Sequence, residues 1–145
     1  AEDGTAFYDS GVILEYLDHL AGGGRIVPTG EARFAALTHQ ALFDGLMDAC
    51  ILRVYEARWR PAEHHVQPWL DHQTGKVERA LTHAEAAHST PAPELHIGHI
   101  TQACALGYLD FRFGGMWRAD YPKLVAWLED FAARVPSFAA TKPPA

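Results

Sequence analysis

The run from Glu31 to Trp59 constrains the fold more than any other part of this chain. It contains no proline, and Phe43, Leu46, Met47, Cys50 and Val54 recur along it at the spacing of one helical face. A long helix is predicted, softest at Gly45 and ended by Pro61. A second helix is predicted after Pro68, burying Trp69, Leu70, Gln73 or Thr74, Val77, Leu81 and Ala84. The segment marked by Ile97, Ile100, Cys104, Tyr108 and Phe111 carries so few charges that burial on most sides is expected. Gly114 and Gly115 break that helix. Pro122 opens a last one with Leu124, Leu128, Phe131 and Val135 on one face, and Pro136 closes it ahead of an irregular tail. His88 to Pro93 reads as a turn-rich connector, and no internal repeat is present. Helix after helix with one short strand makes the expected fold class all-α.

The strand is Thr5-Ala6-Phe7-Tyr8, followed by Asp9 or Ser10 as the cap of a helix with Val12, Ile13, Tyr16, Leu17 and Leu20 on its apolar face. The N–H groups at that helix start suit a carboxylate or phosphate, although good capping alone explains the Asp-Ser pair equally. Asp3-Gly4 is a hairpin-turn signature with a strand expected on each side, so a partner strand is expected before residue 1 and the chain reads as a fragment. Ala21 to Gly24 stops the helix, and Arg25 to Gly30 forms a linker. The expected boundary divides residues 1–24 from 25–145.

At 48% hydrophobic and 21% charged, 145 residues suffice for one ordinary domain with a real core. A formal charge of -6 without a basic tract argues against nucleic acid or an anionic membrane as the main partner. No apolar run reaches bilayer length, and no secretory leader pattern opens the sequence. Cys50 and Cys104 fall in helical apolar patterns and read as reduced core thiols, which fits a cytoplasmic setting.

A strand ending in an acidic residue plus Ser, followed by Gly11-Val12-Ile13-Leu14-Glu15-Tyr16-Leu17, resembles the glutathione-contacting motif of the glutathione transferase superfamily. Ala105 to Arg112 and Pro136 to Pro144 also resemble segments of bacterial members, in the right order. The resemblance implies a helical bundle of the transferase C-terminal type over 25–145. Residues 1–24 would be a short β/α remnant of a thioredoxin-like domain. It implies that the Ser10 hydroxyl and N–H hold the α-carboxylate of glutathione while Asp9 assists its amino group. Catalytic residues would precede residue 1, so none is assigned, and the 145-residue chain alone is expected to be inactive. Glutathione is implied as co-substrate with no cofactor, a small hydrophobic electrophile as second substrate, and a homodimer as the assembly.

Gln40, Asp44 and Asp48 recur every four residues; they form either a solvated acidic face or, by the resemblance, a row from which Asp44 or Asp48 reaches a partner's bound glutathione. Phe43 and Met47 beside that row are expected to be exposed and to join the dimer surface. Tyr55, Arg58 and Trp59 are implied at the pocket for the hydrophobic substrate, with core packing the alternative for Tyr55. Trp117 is a weaker candidate. Family members begin the central helix with Ser or Thr followed three residues later by Asp; here His96 and His99 stand there, a poorer cap flanked by a Leu95–Ile100 staple. Nine histidines raise a metal site, but His64-His65 and His96 to His99 lack metal-ligand spacing and read as surface or loop residues. A rival function is a non-catalytic helical docking module of the same fold.

Overall fold

The computed structural model describes residues 1–87 and 94–143. Six helices carry the fold: α1 (Ser10–Leu20), α2 (Glu31–Trp59), α3 (Gln67–Ala87), α4 (Ile97–Phe113), α5 (Pro122–Arg134) and α6 (Pro136–Ala140). The predicted 88–93 connector lies outside the described residues. None of the helices is long and apolar enough to cross a membrane. The expected strand at residues 5–8 is absent: the segment forms no ladder with another strand among the described residues, and a strand exists only through such a ladder. The Asp3-Gly4 turn does form, with Gly4 N–H bonded to the Ala1 carbonyl at 3.0 Å.

α2 is the spine. α4 lies beside it in the same direction, since Ala36 faces Gly98, His39 bonds to Gln102 and Arg53 sits over the Phe113 ring. α3 flanks the pair, and Phe43, Leu46, Cys50, Leu81, Leu106 and Leu124 are among the side chains of the shared core. Phe43 is fully buried rather than exposed, so it does not offer the dimer surface expected of it, while Met47 is half-buried against the same core. On α3 the buried position is Gln73, with Thr74 half-buried and Trp69 exposed. The tail is helical for one turn, because Pro136 starts α6 as well as ending α5.

The start of α4 crosses α2 so closely that only glycine fits at position 98. A Cβ there would lie 2.8 Å from the Ala36 carbonyl oxygen and 2.7 Å from His39 Cβ. The two histidines expected on the surface form the cap of this buried turn. His96 Nδ1 accepts the Gly98 N–H at 3.1 Å and His99 Nδ1 accepts the His96 N–H at 3.2 Å. Both bonds require neutral imidazoles, and burial holds the His96 pKa below its ordinary value. The reciprocal cap is therefore present in imidazole form.

α1 packs differently. Val12, Ile13, Leu17 and Leu20, four members of its predicted inner face, are 40–63% exposed, because no element among the described residues covers them. What holds α1 is Leu14 against the small Val27, Ala36 and Ile97 cluster, an Arg33–Glu15 ion pair, and Asp18. The buried Asp18 carboxylate accepts the N–H groups of Gly24, Arg25 and Ile26 at 2.8–2.9 Å, and those bonds hold its pKa below the ordinary carboxylate value. The linker so pinned hands the Ile26 carbonyl to the Ile97 N–H at 2.8 Å, joining the start of α4 to the end of α1.

Candidate functional site

At the N-terminus of α1 the cap is Asp9. Its Oδ1 accepts from Gly11 N–H at 2.8 Å and Val12 N–H at 3.4 Å. Asp9 adopts φ 72° and ψ 133°, the one non-glycine positive φ among the described residues. Such a conformation costs about 1–3 kcal/mol and persists where the surroundings enforce it, characteristically at binding sites. Ser10 is the first residue of α1 and is exposed, next in sequence to the acidic cap.

α2 brings polar groups to the same corner. The Gln40 amide nitrogen lies 2.6 Å from where a Cβ on Gly11 would sit, and Gln40 is otherwise buried. Asp44, one turn on, has a raised pKa: burial is the main cause, the negative charges of Asp9 and Asp48 add to it, and a hydrogen bond from Gln40 opposes them. Asp44 is half-buried and feels the charge of Asp9 in its own chain, whereas Asp48 is exposed. Periodicity alone placed Gln40 on the right face but gave no sign that α1 would begin against it.

Beyond Asp44 lies α4. Cys104, expected in the core, is exposed at the edge of a cavity of about 610 Å³. Partial desolvation and the charge of Asp44 both push its thiol pKa up, so Cys104 stays a thiol. By contrast Cys50 is a true core thiol, raised to about 11 by burial. Tyr108, Phe111 and Phe138 line the same cavity, and Phe138 packs over Gly107. The row Cys104, Tyr108 and Phe111 read as buried in the sequence is the row that turns toward this cavity.

Tyr55 and Trp59 line a different cavity of about 540 Å³, with Leu52, Val66 and Trp69. Arg58 stacks over the Trp59 ring at 5.4 Å. Tyr55 is 47% exposed and so is not core packing. Tyr55 lies three helical turns, about 16 Å, along α2 from Asp44, so these three residues stand apart from the Asp9–Asp44 corner, which Cys104 adjoins. Trp117 is buried, with its indole N–H donated to Asp110 at 2.9 Å, a structural role.

Residues 67–130 match the family model described as the glutathione S-transferase C-terminal domain. Over 148 aligned residues the chain is 32% identical to the GST-like protein YibF of Escherichia coli K12, covering 99% of this chain and 72% of that protein. The chain belongs to the glutathione S-transferase superfamily. Its fold also matches that of a transferase family member from Pseudomonas fluorescens Pf-5, crystallised with S-(propanoic acid)-glutathione. That match has 45% identity and a TM-score of 0.91, over all of this chain and 74% of the other. A glutathione S-transferase from Methylobacillus flagellatus KT with glutathione bound matches at 31% identity and a TM-score of 0.91, over 99% and 73% of the two chains. As a transferase-family fold, the bundle fits the all-helical C-terminal type expected from the sequence.

Proposed function

We propose that the corner formed by Asp9, Ser10, Gln40 and Asp44 holds the γ-glutamyl end of glutathione, and that the full enzyme conjugates glutathione to hydrophobic electrophiles. The observation that carries this reading is the exposed, strained helix start beside two carboxylates. An amino-acid terminus is a zwitterion: its carboxylate suits the Ser10 N–H and hydroxyl at the positive end of α1, and its ammonium suits Asp9 and Asp44. Asp44 is assigned to the ammonium in preference to Asp48 because it is half-buried, hydrogen-bonds with the Gln40 that packs on Gly11, and feels the Asp9 charge within the same chain. The glutathione-bound relatives support the ligand class.

The apolar co-substrate is assigned to the cavity lined by Cys104, Tyr108, Phe111 and Phe138, because it adjoins Asp44 through Cys104. The Tyr55, Arg58 and Trp59 surface is not assigned to it. None of the chain's residues is assigned to activating the glutathione sulfur. Residues 1–24 are read as belonging with the glutathione-binding part and 25–145 as the helical part. A homodimer belongs to the same reading, with Phe34, 71% exposed on α2, in place of Phe43 on its surface; light scattering at twice the chain mass checks it. Titration calorimetry with glutathione tests the site itself. Saturable binding lost in Asp44→Asn and retained in Asp48→Asn is expected; equal binding by both variants and wild type would remove Asp44 from the site.

A further inference from the structure

Three imidazoles meet where α4 begins, from two helices that are far apart in sequence. His99 is buried, His39 and His96 are half-buried, and each offers one ring nitrogen such that all three nitrogens lie within 4.8 Å of one another. The His96 and His99 rings stack at 3.7 Å between centroids, and the His39 ring stands edge-on to them at 5.4 and 5.2 Å. We propose that His39, His96 and His99 form a binding site for a divalent transition-metal ion, with three imidazole nitrogens as ligands and water completing a tetrahedron.

The donor set selects the class of ion. Imidazoles without a carboxylate suit zinc, nickel, cobalt or copper and do not suit magnesium or calcium, which require oxygen ligands. An ion with metal–nitrogen bonds of about 2.0–2.1 Å needs its ligand nitrogens roughly 3.4 Å apart. Binding requires the nitrogens to draw in from their present separation and the stacked His96 and His99 rings to turn so that their in-plane lone pairs converge. His39 already has the outer support that ligating histidines use: its Nε2 lies 2.6 Å from Gln102 Oε1, so a proton donated there orients the ring and leaves the lone pair on Nδ1. Burial favours the neutral ring of His96, the form that can ligate. No other group of three such ligands occurs among the described residues, and His64-His65 has no third member.

The cap occupies the Nδ1 lone pairs of His96 and His99, and these same nitrogens are the proposed ligands. His96 and His99 accept the N–H groups of Gly98 and His96, so an ion taking those rings replaces the two capping bonds as the fastening of α4 to α2. Occupancy must therefore register at two named backbone amides, a signature that binding to surface histidines cannot produce.

The test uses tag-free protein stripped with chelator and titrated with zinc chloride by calorimetry and with cobalt chloride by visible absorption. One equivalent per chain is expected, with the intense visible bands of tetrahedral cobalt, a higher thermal midpoint, and shifted amide resonances for His96 and Gly98. His39→Gln, which leaves both capping residues in place, should weaken binding at least tenfold, whereas a His64→Gln/His65→Gln double variant should bind as wild type does. Binding below one equivalent, or equal binding by His39→Gln, would overturn the proposal. If His39→Gln loses its helical far-UV spectrum, the wild-type amides decide: unmoved His96 and Gly98 resonances at saturation would reject the site.

Discussion

α1 and α4 both begin with a side chain accepting backbone N–H groups, yet the two helix starts serve different ends. At α4 the cap residue His96 has an extended backbone, φ −131°, and its turn is pressed against α2 with no room for a methyl group. At α1 the cap residue Asp9 has φ 72°, and both it and the neighbouring Ser10 are exposed, with only a side chain of α2, Gln40, against the turn. The buried start gains stability from contact, and the exposed start keeps strain and unsatisfied donors. Capping chemistry alone does not separate a fastening from a ligand site; the backbone conformation and the space in front of the helix do.

Glycine substitutions break this comparison most sharply. Gly98→Ala should destabilise by about 2 kcal/mol, because overpacking of about 1–3 kcal/mol against a carbonyl and a Cβ outweighs the gain in helix propensity. Gly11→Ala would place its Cβ 2.6 Å from the Gln40 amide nitrogen and 3.1 Å from the capping Asp9 Oδ1, both side-chain atoms rather than backbone. Its stability should fall by less, about 1 kcal/mol, because side-chain ends can shift where the carbonyl and Cβ beside Gly98 cannot, while glutathione affinity falls. Thermal and urea unfolding of the pair checks this, and equal losses would erase the distinction.

Ser10→Ala comes next. Loss of a hydrogen bond to a charged carboxylate weakens binding by about 1.5–3 kcal/mol, roughly tenfold or more. Asp9 is the cap, so the helix should remain as stable as before. A large fall in thermal midpoint with unchanged glutathione affinity would reduce Ser10 to a structural residue.

The linker between the two starts offers a pH-dependent probe. The folded-state pKa of Asp18 is depressed below the unfolded value of 3.8. Its contribution is therefore present above that value and lost as pH falls through the lower folded-state value. The stability difference between wild type and Asp18→Asn should be constant from neutrality down to about pH 5 and should shrink below about pH 4. A difference that grew on acidification would mean that the carboxylate is not what holds the linker.

The smallest effect is expected from Asp9→Gly. Replacing the cap with glycine costs a few tenths of a kcal/mol, and relief of the positive φ returns a comparable or larger amount. Net stability should stay the same or rise slightly while glutathione affinity falls. A marked loss of stability would show that Asp9 is mainly a fastening, like His96.

The long α2, the inward faces of α3 and α5, and the Asp-Ser corner were legible because each is encoded within a few turns of chain. Gly114 and Gly115 were legible as the end of α4 for the same reason, both adopting left-handed φ near 63–69°. What was not legible depends on pairs distant in sequence. His39 meets His96 and His99 only because Gly98 lets α4 touch α2. The strand expected at 5–8 does not form and the expected inner face of α1 stays exposed, because pairing and burial need a neighbour that periodicity cannot supply. Cys104 and Phe111 lie on a face that any helical pattern marks as core; α5 and α6 stop short of closing over it, which leaves the cavity.

Glu85 illustrates how such a distant pair orders assembly in time. Its two carboxylate oxygens, on α3, accept the N–H groups of Lys123 and Leu124, 38 and 39 residues later, at 3.0 and 2.9 Å. Tyr121, the residue just before α5, makes no side-chain capping bond of its own. α5 therefore has 13 residues and a borrowed cap, a length at which isolated helices are marginal in water. Its first turn becomes complete only after α3 has taken its place, so α5 should acquire protection from hydrogen exchange late in refolding, after the α2–α3 pair. The last large helix of the bundle is then a recorder of whether the earlier ones have docked.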